Sequence, residues 1–158
     1  MKKIVVILLM IVIVIVIIGI KFAFIDGNKE IYIDISKLTE ELINSQIFED
    51  DLSQIDKETI IKKYGFNDQK IKNINSYVGT GATAEEILII ELFDKNDVND
   101  IKKIIEMKIE ERKTDFQSYL PKEVFKLENY NLESKGNYII LCISNDYDKA
   151  KEVINKNI

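Results

Sequence analysis

Two adjacent carboxylates and one arginine have the clearest potential for chemistry in this sequence. Glu85 and Glu86 stand at the start of an apolar run, and Arg112, the only arginine of the chain, falls between Ile109 and Phe116 on an apolar helical stripe. A guanidinium on a packed helix face needs a fixed acceptor, so we expect an ion pair with Glu85 or Glu86. The alternative for Arg112 is a site that binds an anion or a peptide carboxylate.

Catalysis by these carboxylates is less well supported. Glycoside hydrolysis needs two carboxylates that flank one bond, whereas adjacent residues of a strand point to opposite faces. The sequence contains no His, which removes the usual general base, the usual catalytic triads and most zinc sites. Cys142 is the one cysteine, so no intrachain disulfide forms, and its apolar strand favours a buried small hydrophobe. We therefore expect no enzyme activity, no cofactor and no metal site.

Two polar segments could be interpreted as ion-binding sites, one for phosphate and one for calcium. Residues 79–84 are rich in Gly, but phosphate-binding loops precede a helix, and here a strand follows, which favours a simple turn. Residues 94–100 are rich in Asp and Asn, as calcium loops are. The EF-hand pattern fails because Val98, Asn99 and Ile105 stand at its fifth, Gly and final Glu positions. We expect helix-capping residues there instead.

Hydrophobic periodicity predicts the elements that position these side chains. Helices are predicted at about 34–45, 56–65, 97–119, 121–127 and from Ser144 or Asn145 onward, and strands at 71–78, 86–93, 129–134 and 137–144. The acidic stretch 48–55 is predicted to be a loop. This order predicts an α+β fold, with a mostly antiparallel four-stranded sheet of two hairpins and helices packed on its apolar face.

An apolar run opens the chain and predicts a membrane anchor. From Ile4 to Ile25 it is interrupted by a single charge, Lys21, and about 20 apolar residues cross a hydrocarbon core of about 30 Å. No small-residue cleavage site follows it, and Lys2 and Lys3 favour a cytoplasmic N-terminus. We expect a single-pass cell-membrane protein with a transmembrane helix in residues 1–25, contact with the lipid bilayer through residues 4–25, a linker at 26–34 and an extracytoplasmic domain at 35–158.

The composition limits the domain count and the partners. The 158 residues suit one domain with a substantial core once the anchor is set aside. The net charge is −5, and without Lys2, Lys3 and Lys21 it falls to −8, from 19 basic and 27 acidic residues. Such an acidic domain is a poor partner for nucleic acid, so we expect none.

Three sequence blocks resemble a known family. They are Thr80–Ile87 (TGATAEEI), Arg112 with Phe116, Tyr119 and Pro121, and Gly136–Cys142 (GNYIILC). In this order and spacing they resemble the clostridial and Gram-positive family called domain of unknown function four-three-five-eight, over Ile35 to the C-terminus. The resemblance implies a small secreted lipoprotein or membrane-anchored protein, and it implies no activity, substrate or catalytic residue.

Three classes of function remain open on the sequence. We expect a non-catalytic module that binds an unknown envelope protein or wall component, because the polar residues singled out above have roles as caps, turns or ion pairs. A carboxylate-based envelope hydrolase is the first alternative. A sensor of a small ligand or ion, using Arg112 or the oxygens of residues 94–100, is the second.

Overall fold

The computed structural model describes residues 10–16 and 31–158 of the chain. Residues 10–16 are helical, and Tyr32–Ile158 form one compact unit. Across these two described ranges no helix combines the length and the apolar character needed to cross a membrane. This finding contradicts the predicted N-terminal transmembrane helix and the single-pass membrane location. The remainder of the predicted span, residues 4–9 and 17–25, lies outside the described residues.

The compact unit alternates helices and strands along the chain. Its helices are α1 (Ile35–Asn44), α2 (Lys57–Tyr64), α3 (Val98–Tyr119), α4 (Val124–Glu128) and α5 (Tyr147–Asn157). Its strands are β1 (Ser53–Ile55), β2 (Ile71–Val78), β3 (Glu86–Leu92), β4 (Asn131–Lys135) and β5 (Tyr138–Ile143). Short 3-10 turns precede β2, α3 and α4.

The strands form one antiparallel sheet in the order β1-β2-β3-β5-β4. The prediction of a four-stranded sheet is therefore wrong, because β1 adds a fifth strand at one edge, inside the stretch 48–55 predicted to be a loop. β1 places Gln54 opposite Tyr77 of β2. Its three residues include a single apolar one, Ile55, so the stretch shows no alternation of apolar and polar residues, and pairing with β2 makes it a strand.

Helices cover both faces of the sheet rather than one. Every residue of β5 is buried, and so is nearly every residue of β3. On one face Leu88 and Ile90 belong to a cluster with the inward side of α3, including Ile105. The intervening residues, such as Ile89, face the opposite side, where α1 and α5 pack. Strands that are apolar on both faces require two helical layers, and this requirement produces a three-layer arrangement.

Local capping agrees with the sequence at α2 and differs at α5. The Asp56 carboxylate accepts a hydrogen bond from a first-turn N–H, and Gly65 ends α2 with a φ of 74°, as predicted. The cap predicted at Ser144 or Asn145 is wrong, since the Asp146 carboxylate caps α5. The Ser144 hydroxyl instead donates to the carbonyl oxygen of Asp146 and is used inside the turn.

The central position of α3 gives a stability prediction. Ile105 is fully buried, so Ile105→Ala should lower the free energy of unfolding by about 2–5 kcal/mol through lost burial and the cavity it leaves. Met107 lies on the exposed side of the same helix, and Met107→Ala should change it by less than about 0.5 kcal/mol. Chemical denaturation measures both. Equal effects of the two substitutions would contradict the packing of α3 against the sheet.

Candidate functional site

Glu86 receives the guanidinium of Arg112 at the start of β3. Arg112 Nη1 lies 2.8 Å from Glu86 Oε2, and the ammonium of Lys63 lies 2.8 Å from the same oxygen. The Tyr64 hydroxyl donates to the other oxygen at 2.9 Å. Burial, and then the charge of Glu86, raise the pKa of Tyr64 well above its usual value, so its hydroxyl stays protonated and remains a donor. Three donors from α2 and α3 thus satisfy one fully buried carboxylate.

Glu85 has a different set of partners. Its carboxylate accepts hydrogen bonds from the backbone N–H groups of Glu49, at 3.0 Å, and Asp50, at 2.9 Å. The buried ammonium of Lys126 in α4 lies 3.0 Å from Glu85, 3.1 Å from the Glu49 carboxylate and 3.2 Å from that of Glu123. Burial alone would lower the pKa of Lys126, but hydrogen bonds to Glu85 and Glu49 outweigh it and raise that pKa. Lys126 is therefore charged, and it links three carboxylates.

The backbone of Ala84 joins the two groups of charges. Its N–H donates to Glu123 at 2.9 Å, and its carbonyl oxygen accepts from Arg112 at 2.9 Å. The resulting network, which we call the ion network, contains four carboxylates and three cations: Glu49, Glu85, Glu86, Glu123, Lys63, Arg112 and Lys126. It connects α2, α3, α4 and the segment before β1 to the start of β3.

The geometry of the ion network suits structural pairing. Both oxygens of Glu85 and both oxygens of Glu86 accept hydrogen bonds from protein donors. The two residues are adjacent and use donors from different elements, so they do not flank a common space. A pair of carboxylates that hydrolyses a glycoside must flank the bond to be broken. This arrangement instead holds Arg112 within the network, with 20% of its side chain exposed.

The Gly-rich loop between β2 and β3 encloses a carboxylate of the protein itself. Asp50 accepts hydrogen bonds from the Thr80 N–H at 2.7 Å, the Thr80 hydroxyl at 2.8 Å and the Thr83 hydroxyl at 3.1 Å. A Cβ atom on Gly79 would lie 2.6 Å from the Thr83 hydroxyl and 2.8 Å from the carboxylate, so a side chain at this position would displace at least one of these two groups. These hydrogen bonds, the one from the Thr80 hydroxyl first, lower the pKa of Asp50. These three donors of the loop are thus occupied by Asp50.

The other candidate groups have structural surroundings. Asp94 caps its own turn by accepting from the Asn96 N–H, and Asp97 pairs with Lys70 at 2.7 Å. In the described ranges no group of three or more acidic or Cys side chains is placed to hold a metal ion. Cys142 is fully buried, and its burial raises the pKa of the thiol to about 12, so the nucleophilic thiolate is scarce at neutral pH.

An open polar cleft lies elsewhere, between α1 and the β1–β2 edge of the sheet. We call it the α1–β1 cleft, and its volume is about 370 Å³. The sheet contributes Gln54, Asn75 and Tyr77 to its lining. The helix contributes Ser36, Thr39, Glu40, Ile43 and Asn44. Register explains the sheet side, because Gln54 lies opposite Tyr77 and both share a face with Asn75.

Hydrogen bonds hold part of this lining in place. The Gln54 side-chain amide donates to Asn75 Oδ1 at 3.3 Å, and Asn75 Nδ2 donates to the Thr39 hydroxyl at 3.0 Å. Thr39 in turn donates to the carbonyl oxygen of Ile35, one turn earlier in α1, at 2.8 Å. The chain of donors and acceptors connects β1, β2 and α1. Each bonded amide retains further capacity for a ligand.

Sequence reasoning found part of these sites. Arg112, Glu85 and Glu86 do lie close together, with Glu86 as the partner of Arg112 and Glu85 as the partner of Lys126. Lys126 and Asp50 were missed. Lys126 could have been found from its spacing, because Glu123 lies three residues earlier in the predicted helix after Pro121, and such residues can form an ion pair. The α1–β1 cleft was missed because it depends on β1.

The model of one protein family matches this chain. Described as a domain of unknown function (DUF4358), it matches residues 45–144, and the chain belongs to that family. The resemblance stated from the sequence blocks is thereby confirmed. The matched range contains the whole ion network, the Gly-rich loop between β2 and β3 that binds Asp50, here called the Asp50 loop, and the sheet side of the α1–β1 cleft, while α1 precedes it. No curated protein and no solved structure matches the chain.

The ion network predicts a large effect of removing its central cation. Lys126→Met keeps the aliphatic stem but leaves the buried carboxylates of Glu85 and Glu123 without their shared cation, so stability should fall by about 3–5 kcal/mol. Lys122 is exposed one turn earlier, and Lys122→Met should change stability by less than about 0.5 kcal/mol. Urea denaturation at pH 7 measures both values. A Lys126→Met protein as stable as the control would refute the structural role.

The Asp50 loop predicts a pH dependence. Because the pKa of Asp50 is lowered in the folded state, its ionised form contributes stability above about pH 4, the range of an unfolded Asp, and the contribution is lost as the pH falls through the folded-state pKa. Asp50→Asn removes this contribution. We expect the variant to be less stable than the wild type at neutral pH and the difference to shrink below about pH 4.

Thermal unfolding at a series of pH values tests this dependence. Asp51→Asn is the matched control, because Asp51 supplies a backbone N–H to Asp50 and the substitution leaves that N–H in place. We expect no such pH-dependent difference for the control. A difference between Asp50→Asn and the wild type that stays constant from pH 7 to pH 3 would contradict the assignment.

Proposed function

We propose that this DUF4358 domain is a non-catalytic binding module for a protein or cell-envelope component, and that its ligand occupies the α1–β1 cleft. One observation carries the proposal. The cleft presents amide and hydroxyl side chains to an open space of about 370 Å³, whereas the ionised side chains of the ion network are paired within the protein. Open polar groups are available to a ligand, and paired buried groups stabilise the fold.

The state of the carboxylates argues for binding over hydrolysis. Glu86 is fully buried, and two cations and a phenol engage it. Glu85 is also fully buried, with two backbone donors and Lys126 around it. A general acid or nucleophile must reach the substrate bond, and these carboxylates are surrounded by protein donors instead.

The surroundings of Asp94–Asp100 argue for binding over ion sensing. Asp94 caps a turn, while the Lys70 ammonium lies 2.7 Å from Asp97 and 3.8 Å from Asp100. A cation in this segment would compete with Lys70 for two of the carboxylates. Their oxygens therefore have a role in joining α3 to the turn before β2.

The construction of the cleft favours a preformed binding site. α1 is anchored to the sheet by Leu38 and Leu42, which are fully buried, and its polar side lines the cleft. The hydrogen bonds from Gln54 through Asn75 to Thr39 orient amides on the opposite wall. Groups that are already held in place lose less conformational entropy when a ligand binds.

Photo-crosslinking from the cleft tests the proposal. A benzophenone amino acid at Asn44 or Gln54, both exposed lining residues, should crosslink the full chain to a defined protein or cell-envelope component in the cells that produce it. The same probe at exposed Met107 on α3 should give no such adduct. Mass spectrometry of the adducts identifies the ligand.

A cleft-blocking variant is the specificity control for this experiment. Ser36→Trp places a large ring in the cleft and should abolish the adducts, and Lys37→Trp, at the exposed neighbouring position outside the lining, should retain them. The proposal fails if the adducts persist in Ser36→Trp or if the probe at Met107 gives the same products.

A further inference from the structure

We infer that the α1–β1 cleft binds a neutral saccharide, with Tyr77 as the ring against which the sugar packs and with the amides of Gln54 and Asn75 as its polar contacts. This inference rests on the proposed function and names the chemical class of its ligand. It follows from the charge, the hydrogen-bonding groups, the apolar side and the size of the cleft.

The charge of the cleft selects against anionic ligands. Among the described residues that line it, Glu40 is the one charged side chain. Phosphate or carboxylate ligands need cations or a cluster of N–H donors, and the lining supplies no ammonium or guanidinium. The net charge of −5 acts in the same direction. A neutral ligand avoids this repulsion, and a carboxylate such as Glu40 accepts strong hydrogen bonds from hydroxyl groups.

The hydrogen-bonding groups of the lining match a ligand that donates and accepts at neighbouring atoms. Asn44, Gln54 and Asn75 each offer amide donors and a carbonyl acceptor, and Ser36 offers a hydroxyl, whereas the buried Thr39 hydroxyl is bonded to Asn75 and Ile35. Sugar hydroxyls, and the N-acetyl amides of amino sugars, both donate and accept. Asn75 is already fixed by its bonds to Gln54 and Thr39, so it presents its remaining capacity in a set direction.

The apolar part of the lining matches the face of a sugar ring. Tyr77 is half-buried in the sheet wall, and Ile43 contributes an exposed aliphatic side chain from α1. One face of a pyranose ring presents C–H groups, and burying them against an aromatic ring removes apolar surface from water. Amides beside an aromatic ring thus match both the polar edge and the apolar face of one ligand.

The size of the cleft limits the length of the bound segment. Small-molecule sites have volumes of about 300–1,000 Å³, and the volume of about 370 Å³ is near the lower end. This space suits about one or two sugar rings of a longer chain. The short edge strand β1 forms one boundary of the site, so a longer glycan can continue past it.

Titration of the full chain with defined probes tests the inference. Amide NMR spectra are recorded with chitotetraose, an N-acetylated glycan, with cellotetraose, a glycan without N-acetyl groups, and with a neutral tetra-alanine amide as the peptide probe. We expect saturable shifts at Gln54, Asn75 and Tyr77 with at least one glycan and none with the peptide. Tyr77→Ala should weaken glycan binding at least tenfold, while Tyr77→Phe should keep it within about threefold.

Two further variants separate binding from folding. Gln54 is exposed, so Gln54→Ala should leave the melting temperature unchanged yet weaken glycan binding about threefold or more. Tyr32→Ala, at a tyrosine that is 82% exposed and outside the lining, should leave binding unchanged. Absence of glycan shifts, or equal binding by wild type and Gln54→Ala, overturns the saccharide inference. Crosslinks from the cleft to a protein, or shifts with the peptide alone, would overturn it while leaving the proposed function intact.

Discussion

Buried charge at the start of β3 is the constraint on which the rest of this structure depends. Removing a carboxylate from water costs several kcal/mol, and Glu85 and Glu86 are both removed from it. Each must therefore find cations and N–H donors, and these come from elements far apart in the chain. Glu85, for instance, accepts from the N–H of Glu49, 36 residues earlier, and from the ammonium of Lys126, 41 residues later. Satisfying the charges fixes α2, α3, α4 and the segment before β1 in one arrangement.

The same arrangement explains why the polar groups divide into closed and open sets. Helices cover both faces of β3 and β5, so the carboxylates of Glu85 and Glu86 at the start of β3 are enclosed and must be paired within the protein. At the β1 edge of the sheet the outermost strand is short, and an open cleft lies between this edge and α1. Polar side chains there remain accessible to solvent and to ligands. The enclosed set joins distant elements of the fold, and the open set is the ligand site that we propose.

The Asp50 loop connects these two regions of the domain. The backbone N–H groups of Glu49 and Asp50 donate to Glu85, and the Asp50 carboxylate accepts hydrogen bonds from the loop between β2 and β3. The same segment continues into β1, which carries Gln54 into the cleft. The position of the cleft wall is thus set by hydrogen bonds that begin at the ion network. A rigid scaffold beneath an exposed polar surface is the usual construction of a binding site.

The sequence was sufficient to predict the main helices, β2 to β5 and an ion pair of Arg112 with Glu85 or Glu86. These follow from local periodicity, from capping residues such as Asp56 and from the cost of burying a lone charge. Tertiary structure alone decided the fifth strand, the assignment of Glu86 to Arg112 and of Glu85 to Lys126, the Asp50 loop and the α1–β1 cleft. Local patterns report which face of an element is apolar, but they carry no information about distant partners. β1 exists because β2 offers it hydrogen bonds, and the cleft exists because α1 meets that edge.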